Sequence, residues 1–183
     1  MGLLERLFGT DRKPGRPRQG ERDMVSLVAL SRSSPDLTLD SVRATLDALF
    51  PGQFLPPREE GNFVIDGSVP GATYMIQCTV EGASGIFMLH NVPGPYSEFS
   101  VFPDHLSGPL RAIALEQPCW MSVDLMHAYG SEEDAYRFIG PVLAQLAPAD
   151  TAVLLHPTKM MAVELTADVR RRLATGGQPF GAA

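Results

Sequence analysis

Three strand-like runs follow one another between residues 62 and 92 with almost nothing between them: NFVIDG (62–67), TYMIQCTVEG (73–82) and SGIFMLHNV (84–92). Gly71 and Gly82 mark the connections. Two parallel strands need a crossover of about a dozen residues or more, and these links are far shorter. The three runs are therefore expected as a contiguous antiparallel meander, and every other element has to be arranged around that block.

The rest of the chain alternates the two apolar periods. MVSLVALS (24–31) reads as a strand. TLDSVRATLDALF then places Leu39, Val42, Leu46 and Leu49 on one face at helical spacing, with Thr38 as N-cap and Pro51-Gly52 as the stop. Residues 93–118 are broken early by Pro93, Pro95, Pro103 and Pro109, which leaves a short helix near 107–116. CWMSVDLMH (119–127) is a strand. SEEDAYRFIGPVLAQLA (131–147) is a helix with Ala135, Phe138, Ile139, Val142, Leu143 and Leu146 in one stripe, and Ser131 with Asp134 has capping-box spacing. TAVLLH (151–156) and KMMAVEL (159–165) form a hairpin, and TADVRRRLATGG closes the chain as a helix capped by Thr166. The order β-α-β-β-β-α-β-α-β-β-α predicts an α+β fold: a mixed, largely antiparallel sheet with helices packed on one face.

The division into parts follows from composition. GTDRKPGRPRQGERD (9–23) has no apolar residue to bury, so residues 1–23 are expected to form a flexible N-terminal arm, with a single α+β domain over 24–176 and a frayed tail over 177–183. The arm holds six basic and four acidic residues, a net of +2; the chain as a whole is −6, so the remainder carries −8. An acidic body argues against nucleic acid as a ligand and suits a basic protein partner. No run of 18 or more apolar residues is present, which excludes a helical membrane span. The N-terminus lacks the apolar core and cleavage site of a secretory signal, and Cys78 and Cys119 lie in apolar runs that suit reduced thiols, so the expected compartment is the cytoplasm.

Three of the four histidines end strand-like runs: His90, His127 and His156. If helical crossovers made these strands parallel, the imidazoles would meet at one sheet edge and could hold a zinc ion, giving a metal-dependent hydrolase. The simpler reading is that each histidine marks where a buried strand meets water; no cofactor is then expected. His105 reads as a loop residue. Asp124 alternates with apolar neighbours, so it either faces solvent or is a buried carboxylate that needs a partner such as Arg111 or Arg137. RRR at 170–172 reads as a solvated helix face near a C-terminus, with anion binding as the alternative. G-x-S-x-G, H-E-x-x-H and C-x-x-C are all missing from the sequence.

From Cys119 onward the chain resembles a family of uncharacterised bacterial domains that carry a CW-S-D strand, a helix beginning near EDAYR-IG, and a proline after the next strand. The matching residues are Cys119, Trp120, Ser122, Asp124, Glu133 to Gly140 and Pro157, and the resemblance spans residues 119–174. Its motifs concern packing, and it brings no activity and no active-site residues. The expected role is a non-enzymatic interaction or adaptor module of a bacterial cytoplasm that binds a protein partner through the acidic body. The other classes in view are the histidine-cluster hydrolase and an immunity-type or chaperone-like protein.

Overall fold

The computed structural model describes residues 21–51, 63–65, 72–80, 83–96, 106, 108–129 and 131–180. Residues 1–20, most of the expected arm, lie outside them, as do His105 and residues 181–183. Seven strands form one sheet: β1 (Glu21–Ser31), β2 (Phe63–Ile65), β3 (Ala72–Val80), β4 (Ala83–Pro93), β5 (Cys119–Tyr129), β6 (Thr151–His156) and β7 (Met161–Glu164). Among the described residues four α-helices accompany them: α1 (Leu39–Leu49), α2 (Gly108–Leu115), α3 (Glu132–Leu146) and α4 (Ala167–Ala174). This is the α+β class and the element order expected from the sequence.

The spatial order is β2-β3-β4-β5-β1-β6-β7. Every pairing among the described strands is antiparallel, so the sheet is not mixed. The β2-β3-β4 meander forms one side of the sheet, as its short links require. The first strand does something the sequence did not suggest. It inserts between β5 and β6, with Val28 opposite Ser122 on one side and Leu155 on the other. The α3 crossover does make β5 and β6 run the same way, because both oppose β1, but they are not neighbours.

Alternation along β1 divides the core into two layers. Val25, Leu27 and Ala29 join Met121, Val123 and Leu125 of β5 under the buried faces of α1, α3 and α4. Val28 and Leu30 join Val153 and Leu155 of β6 on the opposite face, where Ala114, Leu110 and Ile113 of α2 cover them. The expectation that helices pack on one face is corrected by α2. A strand buried on both faces carries apolar residues continuously, and SLVALS in the middle of the sheet shows that pattern.

Helix α3 is the main cover. Ala135, Phe138, Ile139, Val142, Leu143 and Leu146 are all buried, as the stripe predicts. Ser131 accepts from the Asp134 backbone N–H while the Asp134 carboxylate accepts from the Ser131 backbone, a closed capping box. Thr38 and Ser41 make the same arrangement at α1. Ser131→Ala is expected to lower stability by about 1 kcal/mol. Chemical denaturation checks this, and an unchanged midpoint would show that the box is idle.

Residues 177–180 of the expected tail are placed against the domain, while 181–183 lie outside the described residues. Helix α4 ends in a Schellman turn: Gly176 N–H donates to the Leu173 carbonyl and Gly177 N–H to the Arg172 carbonyl, both at 2.8 Å. Gly176 has φ +71°, and a Cβ there would stand 2.6 Å from the Arg137 Cα. Only glycine fits this turn against α3. The turn sends the chain back over the domain, so that Pro179 is buried and Phe180 packs on the core. The same helix supplies Arg170, whose guanidinium donates to the carbonyls of Ala144, Ala147 and Pro148 at the C-terminal end of α3. Positive charge is favourable there. Arg171 and Arg172 pair with Asp168, so the three arginines are spent within the domain.

Candidate functional site

The strand-end histidines do not form one centre. His90 lies opposite Ser122 on the neighbouring strand, and its Nε2 is 3.5 Å from the Asp124 carboxylate. His156 lies at the level of Leu27 on β1, hence of Val123 on β5. Three strand spacings separate the two histidines, about 14 Å at ~4.8 Å each. They also face opposite sides of the sheet. His90 shares the face of Ser122 and Asp124, whereas His156 packs against Tyr136 of α3 and against Phe180. His127 is five residues beyond Ser122 on β5, about 17 Å along the strand from the level of His90. A zinc ion shared by His90 and His156 is therefore ruled out. For His90 and His156 the cause is the strand order, which puts β5 and β1 between them, and their opposite faces; for His90 and His127 it is the antiparallel β4–β5 pair. Among the described residues no group of three or more His, Cys, Asp or Glu side chains is arranged to hold a metal ion.

Asp124 does not face solvent. It is 8% exposed; Ser122 Oγ donates to its Oδ2 at 2.7 Å, and His90 Nε2 stands 3.5 Å from the same oxygen. Arg137, one of its expected partners, instead bonds Glu133 and Asp134 on its own helix. The Ser–Asp–His group has the carboxylate in the middle. It is not a nucleophilic triad, where the imidazole must lie between serine and carboxylate. Trp120 and Tyr96 pack edge to face beside it, with ring centroids 5.2 Å apart.

The denser polar cluster is on the other face, where the N-terminus of α3 crosses the end of β6. Glu132 is in the first turn of α3, and one turn later Tyr136 donates its hydroxyl to Glu132 Oε1 at 2.8 Å. Lys159, from the turn after β6, brings its ammonium to the same oxygen. His156 Nε2 points at that oxygen too but stops 3.8 Å away, too far for a hydrogen bond. Its Nδ1 is 3.1 Å from the Thr158 hydroxyl. His156 is 1% exposed, and its Nε2 has no hydrogen-bond partner. Burial pushes the imidazole down to about 4, helped by the Lys159 charge and opposed by Glu132, so it is neutral at pH 7. Asp134, in the same helical turn, is held below the usual carboxylate range by the Ser131 side chain first and its backbone second.

Above this cluster a cleft of about 190 Å³ opens to solvent, lined by Glu132, Glu133, Tyr136, Gly177 and Gln178. Of the cluster, His156 alone was a candidate site residue on sequence grounds. Glu132 and Tyr136 are spaced i, i+4 and so share one side of α3, and His156 and Lys159 bracket Pro157 in a single turn. That much was visible. Their meeting was not, because it depends on α3 lying over β6. The chain matches no protein-family model, no curated protein and no solved structure.

Proposed function

We propose that this protein is an interaction module whose acidic body binds a basic protein partner. One observation carries the reading: among the described residues, most cations of the body are paired within it, while more exposed carboxylates than cations are left without an ion pair. Arg137, Lys159, Arg170, Arg171 and Arg172 are all engaged by Asp, Glu or backbone carbonyl oxygens of the domain itself. Six exposed carboxylates, Asp36, Asp40, Asp47, Glu116, Asp150 and Glu164, have no ion pair among the described residues; Arg32 and Arg43 are the basic residues in that position. Asp40 and Asp47 are two helical turns apart on α1 and flank the same side. A surface with this imbalance attracts cationic partners and steers their approach.

The compartment we assign is the bacterial cytoplasm, and the half-buried free thiol of Cys119 suits its reducing conditions. The test is affinity capture from a bacterial extract on the full chain, beside a triple variant with Asp36→Asn, Asp40→Asn and Asp47→Asn. Basic proteins should be retained by the native chain at low salt, released as ionic strength rises, and retained poorly by the variant. Equal retention by both, or retention insensitive to salt, would contradict the reading.

A further inference from the structure

We infer that residues 177–180 form a strap that swings away about the turn at Gly176 while the rest of the domain stays folded, and that hydration and protonation of the histidine beneath it favour the open form. The Gly176 and Gly177 amides tie the start of the strap to α4. Beyond them, Gln178, Pro179 and Phe180 make no hydrogen bond among the described residues. What seats the strap is apolar: Pro179 is buried, and the half-buried Phe180 ring meets His156 edge to face with centroids 5.7 Å apart. A chain end held by two side chains and no backbone ladder opens at a far lower free energy than a core helix or strand. The strap is also one wall of a cleft, lined by its Gly177 and Gln178 and by Glu132, Glu133 and Tyr136 of α3.

Closure keeps a polar atom dry. His156 is 1% exposed and its Nε2 has no hydrogen-bond partner. The 3.8 Å to Glu132 Oε1 is too long for one, whichever ring nitrogen carries the proton. An unpaired buried nitrogen works against the closed form, and water reaches it when Phe180 lifts.

The groups around the ring set the direction of the acid response. Glu132 faces it from α3, and Lys159 from the turn after β6 brings its charge to the same carboxylate. Thr158 adds a hydroxyl, and Tyr136 and Phe180 add their rings. Met161, opposite on β7, is uncharged, and the strap itself carries no charged residue. Burial outweighs the Glu132 carboxylate and, with Lys159, holds the closed imidazole near 4, against an ordinary 6.5. A proton therefore binds the open form more tightly and draws the strap outward. With the ordinary value restored in the open form, its population grows about tenfold between pH 7.5 and pH 5.5.

The experiment is ¹⁵N chemical-exchange saturation transfer on the native full chain at pH 7.5 and pH 5.5, read at the amides of Gln178 and Phe180 and, within α3, of Phe138. Gln178 and Phe180 should show a minor state with the shifts of unstructured chain, about ten times more populated at the lower pH. Phe138 should not share it. No minor state at pH 5.5, one shared equally by Phe138, or a population indifferent to pH would overturn the inference. Phe180→Ala in the full chain should leave the amide shifts of α3 and the sheet in place and raise by a unit or more the pH at which His156 takes its proton. An unchanged His156 titration in the folded variant would show that the strap is not its cover. A variant that no longer folds would show that the strap does not open independently of the domain. Either result overturns the proposal.

Discussion

Phe138→Ala is expected to cost about 3–5 kcal/mol of folding stability, a large part of what a single domain has. Phe138 is 1% exposed at the middle of the α3 stripe. Its ring stacks on Phe50 at the end of α1, with centroids 4.9 Å apart. It therefore joins two helices to each other as well as α3 to the sheet. The alanine leaves a void bounded on one side by β-strands that cannot close in, because they are fixed by hydrogen bonds to both neighbours. Collapse is then limited to the helices, and the penalty belongs at the upper end of the range for large-to-small changes. Urea unfolding of the variant checks this. A loss below about 1 kcal/mol would mean that the α1–α3 contact does not hold the core.

The second large effect is of pH. The folded protein holds His156 near 4, against 6.5 for the unfolded chain. Between those values the unfolded chain binds a proton that the folded one refuses, so stability rises with pH across the window. The contribution is complete above about pH 6.5, is lost as pH falls toward 4, and amounts to about 3 kcal/mol in all. Asp134 acts in a separate, more acidic window. Its carboxyl is held below 3.8, so its contribution is present above that value and fades below it. In a series of unfolding curves from pH 7.5 to 4, the native chain should lose stability and His156→Gln should be flatter, whatever its own starting stability. Parallel curves would show that another group carries the slope.

Much of the fold could be read from the residues because local signals were consistent. The N-cap at Thr38 and the capping box at Ser131 marked two helix starts, the α3 stripe its buried face, and the short links at Gly71 and Gly82 the meander. Strand adjacency was a different matter. Apolar alternation says that β1 is buried, and even that it is buried on both faces, but not that it divides β5 from β6. That insertion decides the fate of the histidines. Alternation within β5 correctly separates the face of Asp124 from that of Val123, yet no rule of alternation relates β4 to β6 until register is known. The packing of residues 177–180 was not legible for a local reason. GGQPFGAA offers a single aromatic residue among glycines, alanines and one proline, and the left-handed turn at Gly176 that folds Phe180 back onto His156 shows its purpose only against Arg137. Glu132 and Lys159 read as ordinary surface charges; the shared oxygen that joins them to Tyr136 is a product of α3 crossing β6.

The architecture of the cluster can be tested at one atom pair. His156, alone among the features described, has to be buried, neutral and deprived of a close partner for its Nε2 at the same time. Long-range ¹H–¹⁵N NMR of the imidazole, recorded on the full chain as pH is lowered from 8, reports all three. The account predicts a neutral ring with one protonated nitrogen throughout the physiological range, a transition deferred to about pH 4, and no change on adding zinc. A ring that gains its second proton near 6.5, or whose nitrogen shifts move with stoichiometric zinc, would place His156 in solvent or on a metal and contradict it.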